Sequence, residues 1–354
     1  MKKFSIVLTL ALVVALAVPA MAAPKLAING NLEMENSTVD KGGPTLSSTY
    51  GDLDLYLNAK INDKVSAFTE LDYDTFFVDN VNDTGEHQGR VDQMWINVED
   101  AFGPLALRVG RMDEAAASNL LYDIEDKANE FVRFAYNENN VSGKVAYNLD
   151  NNDSKKVLLA EGKVTDLGLV DGVTVNYFDA NTLDYEGYTL KATKQHSFGT
   201  GSIVFGEADN GPISGAQVLD VDFTTKTLFP GVTAGLEYGT VDKGFVLNND
   251  TAIQDDSVFN DVNADYEPIY SADDVQVIKP SVSFDLTDKL GVYFGYAMYE
   301  GDKSNAKQDY LDLVASYDLA PDTYLDVEYE NFSNDWTGAP DDESALTTTL
   351  GVNF

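Results

Sequence analysis

The chain's four arginines, Arg90, Arg108, Arg111 and Arg133, fall close together in the sequence. Guanidinium groups concentrated in this way can bind anions, brace carboxylates or line a charged passage. Between the last two lies the segment 113–127, where Asp113, Glu114, Asp123, Glu125 and Asp126 surround Ala115-Ala116-Ala117 and Leu120-Leu121-Tyr122. An apolar patch inside a polar connection implies a segment that folds inward onto a wall, with one helical turn, and sets its carboxylates toward Arg108 and Arg133. Opposite charges across a narrow passage create a transverse field that discriminates among ions. The plainer reading is that the arginines neutralise nearby acids and brace the wall; bracing and lining can coexist. Lys144 and Lys191 extend the basic set. Asp52, Asp54, Glu70, Asp72, Asp312, Asp318, Asp326, Glu328 and Glu330 form an acidic counterpart.

Other chemistries are poorly served. With no cysteine in the chain, disulfides, thiol catalysis and thiolate metal sites are excluded. His87 and His196 have no acid and nucleophile placed near them, so no catalytic residue is expected. Asp150-Asn151-Asn152-Asp153-Ser154 lacks the glycine and distal glutamate of a calcium loop, and a hairpin tip suits it better. Acidic connections could still hold divalent cations loosely, but no resident metal or cofactor is expected. Trp95 and Trp336 are assigned to the membrane interface or to strand ends, because a sugar-stacking slide requires several aromatics in register. A formal net charge of −36 makes nucleic acid an improbable partner.

The elements that must position these groups follow from periodicity. Lys2 and Lys3 precede an apolar run that ends in Ala20-Met21-Ala22, the pattern of a secretory signal peptide over 1–22, leaving 23–354 as one domain. After it no apolar run is long enough for a membrane helix. Segment after segment instead alternates with period two. Leu346, Thr348, Leu350, Val352 and Phe354 share one face, and Ala345, Thr347, Thr349, Gly351 and Asn353 the other. Leu53, Leu55, Leu57, Ala59 and Ile61 alternate with Asp52, Asp54, Tyr56, Asn58 and Lys60 in the same way. One face suits hydrocarbon and the other water.

Eighteen such segments, from 25–35, 51–61, 64–74 and 89–99 through to 345–354, predict an all-β transmembrane antiparallel barrel, with sixteen strands as the alternative count. Tight turns such as Asn62-Asp63 and Glu138-Asn139 alternate with longer polar connections, the longest near 241–272. An arginine facing lipid at mid-membrane costs about 2–4 kcal/mol, so Arg108 and Arg133 are expected to face inward. Arg90 and Arg111 sit near strand ends, where either orientation is tolerable. Aromatics near strand ends, among them Tyr73, Phe134, Phe178, Tyr299 and Phe354, are expected to form interfacial girdles. A secreted acidic β-rich binding protein is the rival reading. It fits less well because a dry interior could not desolvate so many carboxylates.

The terminal strand ending in Val352-Asn353-Phe354, the hairpin rhythm and the stretch Gly103-Pro104-Leu105-Ala106-Leu107-Arg108-Val109-Gly110-Arg111-Met112 resemble the Gram-negative outer-membrane porin superfamily. The resemblance implies a passive diffusion channel among outer-membrane lipids and lipopolysaccharide, and assembly as a homotrimer. It marks Phe354 as the signal read by the barrel-assembly machinery, and the end of the fifth strand as the start of a pore-constricting loop. The excess of carboxylates adds an expected weak cation preference. A substrate- or anion-selective channel, for phosphate for example, is the alternative.

Overall fold

The structure is a computed structural model that describes residues 25–43, 45–79, 88–114, 129–149, 156–180, 184–245, 274–302, 306–335 and 342–354. Eighteen strands make one sheet: β1 (Lys25–Asp40), β2 (Leu46–Lys60), β3 (Val65–Asp79), β4 (Gln88–Phe102), β5 (Leu105–Met112), β6 (Asn129–Glu138), β7 (Val141–Asn148), β8 (Leu158–Thr165) and β9 (Gly172–Ala180) form the first half. The second half is β10 (Tyr185–His196), β11 (Gly199–Asn210), β12 (Ile213–Phe229), β13 (Val232–Val241), β14 (Val275–Thr287), β15 (Leu290–Gly301), β16 (Lys307–Ala320), β17 (Thr323–Asp335) and β18 (Glu343–Asn353). Each strand pairs antiparallel with its sequence neighbours, and β1 pairs with β18. Eighteen is therefore the strand count, not sixteen, and closure leaves no unpaired edge in the sheet.

The seam between first and last strands is tight. Gly30 N donates to the Phe354 carbonyl at 2.9 Å, and Phe354 N donates back to the Gly30 carbonyl at 3.0 Å. The Phe354 ring covers Gly30, where an added Cβ would come within 2.7 Å of Phe354 Cζ.

Alternation sorts the side chains as a barrel requires. Leu26, Ile28, Leu32 and Met34 on β1, Ile278 and Phe284 on β14, and Leu346 and Leu350 on β18 are exposed on the outer face. Such a face is tolerable in lipid and improbable in water. The opposite rows carry Glu33, Glu35, Asp52 and Asp54, which register pairs across β18, β1 and β2.

Tight turns close one end, each through its own polar group. Asn62 Oδ1 accepts from Lys64 N at 2.8 Å and Val65 N at 3.0 Å, and Thr287 Oγ1 accepts from Lys289 N at 3.1 Å. Asn139 and Asp322 take left-handed conformations that short polar residues tolerate, with φ of 54° and 61°. The Asp171 carboxylate accepts from Lys194 Nζ and from the Gln195 N–H, and these bonds hold it below the usual aspartate range.

Two expectations need revision. Phe178 and Tyr299 do not belong to an outer girdle: register places them beside Gly187 and Gln308 on the inward rows, and both are buried. With Phe131, Leu159, Tyr185, Val277, Tyr310 and Phe332 they form an apolar cluster on inward rows at the long-connection end. Phe245, just past β13, joins this cluster, and its carbonyl accepts from the Tyr185 hydroxyl at 2.7 Å. At that level apolar side chains, rather than charged ones, make up the inward rows. The charged inward rows lie at mid-barrel and toward the short-turn end, apart from the β16–β4 arc, where they reach further up. The outer part of the longest predicted loop, 246–273, lies outside the described residues, as do Asp150–Ser154, His87 and Trp336.

Candidate functional site: the charged lumen

Register assigns the arginines before any side-chain contact is considered. Arg108 pairs with Asn97 on β4 and with Arg133 on β6, so both arginines share the inward row. Arg133 Nη1 lies 2.8 Å from one Glu114 oxygen, and Lys144 Nζ lies 2.9 Å from the other. Glu114 is only 2% exposed, so one desolvated carboxylate joins β6 and β7 to the chain leaving β5. Charge-assisted bonds of this kind are strong because each partner offsets the burial of the other.

Arg108 uses a different partner. Its Cζ stands 3.7 Å from the centroid of the Trp95 ring, with Nε 3.5 Å from Asn97 Oδ1. It forms no salt bridge among the described residues. Gly110 permits the close approach of β5 to Trp95. Its φ is 145°, and an added Cβ would lie 2.6 Å from Trp95 Cα, so only glycine fits there.

Arg90 and Arg111 flank a second acidic group nearer the long-connection end. Arg90 Nε lies 2.5 Å from Asp72 and 3.5 Å from Asp92. Register sets Arg111 opposite Met94, whose side chain is exposed on the outer face. Its guanidinium reaches back, with Nε donating to the Asp92 carbonyl at 2.6 Å. Gln93 Nε2 bridges Asp113 at 2.6 Å and Glu70 at 2.8 Å. The structure thus brings Asp113 to the β3–β4 wall and Glu114 to the β6–β7 wall. Asp123, Glu125 and Asp126 lie outside the described residues.

The other arc of the wall is acidic. Asp312 pairs with Glu330, Glu33 with Asp52, and Asp54 with Asp72, all on inward rows. Tyr50 Oη donates to Glu35 and Tyr310 Oη to Glu330, each at 2.7 Å, and Tyr324 Oη donates to Glu33. Asp52, Asp54 and Asp72 each place an oxygen within 4.8 Å of the others, as do Glu70, Asp92 and Asp113. Either trio has the hard oxygen ligands that a divalent cation takes.

The sequence pattern points Trp95 to the interface or a strand end. Register instead pairs it with Phe68, and the two rings stack with centroids 5.2 Å apart. Tyr56 stacks on Phe68 in turn at 6.3 Å. The row Trp95, Asn97 and Glu99, interleaved with Met94, Ile96 and Val98, was the signal that could have placed it inward.

The Gram-negative porin family profile matches residues 9–337. Among solved structures, a BenF-like porin from Pseudomonas fluorescens Pf-5 is 9% identical with a TM-score of 0.70, covering 93% of this chain and 99% of that one. Outer membrane protein OpdK from Pseudomonas aeruginosa is 10% identical with a TM-score of 0.68, covering 93% and 98%. OccK2 (OpdF) of Pseudomonas aeruginosa, solved in complex with glucuronate, is 12% identical with a TM-score of 0.67, covering 93% and 98%. At such identities the likeness concerns the fold. No curated protein matches the chain by sequence.

Proposed function

Because this chain belongs to the Gram-negative porin family and is an outer-membrane β-barrel, we propose that it is a passive diffusion channel for small hydrophilic solutes and ions with a weak preference for cations. Family and fold indicate a channel rather than an enzyme. The observation that carries the reading is the inward charge in the short-turn half of a closed wall. Charges there cannot remain ionised in a dry interior, so water must reach them. Cation preference rests on the acidic arc from β16 through β18 and β1 to β3, together with the net charge of −36. Such a wall concentrates counter-ions. Export by the signal peptide 1–22, insertion by the barrel-assembly machinery through Phe354, a lipopolysaccharide-containing bilayer and a homotrimeric assembly complete the proposal. Arg108, Arg133, Arg90, Asp113, Glu114, Asp123, Glu125 and Asp126 are its pore-lining set, whereas Arg111, first expected among them, reaches the Asp92 carbonyl from an outward row.

The zero-current potential across a potassium chloride gradient in planar bilayers tests this reading. A modest cation-selective value supports it, and an anion-selective value refutes the preference. One observation favours a second reading. Arg108 has no ion pair among the described residues, and solved barrels of this fold hold the carboxylates glucuronate and vanillate. An anion-selective channel would show saturable block by such solutes.

A further inference from the structure

The inward rows of β12 and β13 hold a charged group that neither the basic wall nor the acidic arc includes. On β13 the row reads Gly235, Glu237, Gly239, so Glu237 stands on an otherwise bare stretch of wall, while Leu236 beside it is exposed on the outer face. Register sets Glu237 beside Asp222 and sets Asp220 opposite Gly239, where no side chain stands in the way. Across that gap the carboxyl groups of Glu237 and Asp220 make a hydrogen-bonding contact. Asp220 is only 8% exposed, and its Oδ1 is buried with no partner.

A carboxylate accepts hydrogen bonds and cannot donate one, so two carboxyl groups in such contact need a proton between them. That proton belongs to the pair rather than to either residue. The charges that face the pair come from three strands. Lys191 on β10 lies beside Val204, which is itself opposite Asp220, and Lys279 on β14 is opposite Glu237. Asp222 on β12 accepts from Thr224 Oγ1 at 3.4 Å. The intervening β11 presents Ser202, Val204 and Gly206, none of them charged. With the proton in place, the two lysines balance Asp222 and the pair. Without it, the group carries one excess negative charge.

We propose that Asp220 and Glu237 form a proton-binding site in the lumen wall, whose single shared proton sets the local charge and with it the channel's ion preference. The site rests on the channel reading above and names a regulator of that preference. Loss of the proton to lumen water breaks the bond between the two carboxyl groups and leaves two carboxylates that repel. The glycines on either side of Glu237 give its side chain room to swing away, and a balanced patch becomes cation-attracting.

The test uses the full barrel, in detergent for infrared spectra and in planar bilayers for the zero-current potential across a potassium chloride gradient. Near neutral pH the difference spectrum between the native chain and Glu237→Gln should contain a carboxylic-acid C=O band that shifts in D2O. Raising the pH from about 6, where ordinary carboxylates are already ionised, to about 9, where lysine is still protonated, should remove that band. Over the same window the cation-to-anion permeability ratio should rise, by up to about fivefold for one charge beside the path. Glu237→Gln can donate to Asp220 at any pH and should hold a nearly constant ratio; Asp220→Asn should do the same, and replaces it if the first variant fails heat-modifiable migration. Absence of the band, a flat ratio in the native barrel, or a rise that persists in a folded variant overturns the site. A barrel that shows the band but passes no current would instead overturn the channel reading alone.

Discussion

Replacing Glu114 by Gln removes one negative charge from the centre of the basic wall while keeping the side chain's shape. Arg133 and Lys144, now bonded to Glu114 at 2.8 and 2.9 Å, keep at most a neutral acceptor. The constriction gains one unit of positive charge. At about 8 Å, the screening length near physiological salt, and with an effective dielectric constant near that of water, one charge shifts a monovalent ion's energy by about 0.5 kcal/mol. Cations and anions shift in opposite senses, so the permeability ratio should move by about 1 kcal/mol, roughly fivefold toward anions. The assay is the zero-current potential across a tenfold potassium chloride gradient centred near about 0.1 M. It is repeated near about 1 M, where screening shortens to about 3 Å and most of the difference should vanish. Folding of the variant is checked by heat-modifiable gel migration. An unchanged low-salt ratio in a folded variant would refute the assignment of Glu114 to the ion path.

Three further outcomes follow from the same geometry. Gly110→Ala forces a Cβ toward Trp95 Cα at a φ of 145°; the barrel should lose roughly 2 kcal/mol of stability, read as a lower temperature of gel-shift unfolding, and Trp95 emission should move to the red. Arg90→Ala leaves Asp72 and Asp92 without that cation; the cost should be about 2 kcal/mol, below the full penalty of breaking a buried pair because Arg90 is 41% exposed, and cation preference should rise. Asp171 is held below the ordinary aspartate range chiefly by its bond from Lys194, so its tie to the β9–β10 wall is fully present above the unfolded value and is lost as pH falls through the lower folded one; amide exchange at Gln195 should accelerate over that acid window in the native chain, and Asp171→Asn should abolish the acid dependence.

The barrel was legible because alternation is imposed by two solvents, and that pattern survives wherever both are present. The segment 345–354 is observed as Glu343–Asn353, and its outward residues Leu346, Leu350 and Val352 are the strand's exposed large apolar side chains. Strand limits were less legible for the same reason. The segments read as 25–35 and 51–61 run as Lys25–Asp40 and Leu46–Lys60. There Asn36 to Thr38 pair with Ser47 to Thr49, which keeps the backbone ladder going where the outer residues are no longer apolar.

Inward apolar residues escaped notice because alternation equates inward with polar. Phe178 and Tyr299 look like interfacial aromatics until register sets them beside Gly187 and Gln308. The aromatic row at Trp95 was hidden by distance in sequence: Tyr56, Phe68 and Trp95 lie on three strands, and only cross-strand pairing brings them together. The inward rows of Arg108 and Arg133 follow from their apolar neighbours, and the sequence also points carboxylates of 113–127, Glu114 among them, toward both; that Glu114 takes Arg133 while Trp95 takes Arg108 is decided by contacts that no local pattern encodes.

Everything functional here depends on water filling the charged half of the lumen, even though the inward rows at the other end carry an apolar cluster. Single-channel recording of the detergent-purified, heat-modifiable protein in potassium chloride tests this most directly. The account predicts discrete, ohmic conductance steps that scale with salt. A correctly folded, membrane-inserted barrel that passes no current at any salt concentration would contradict it.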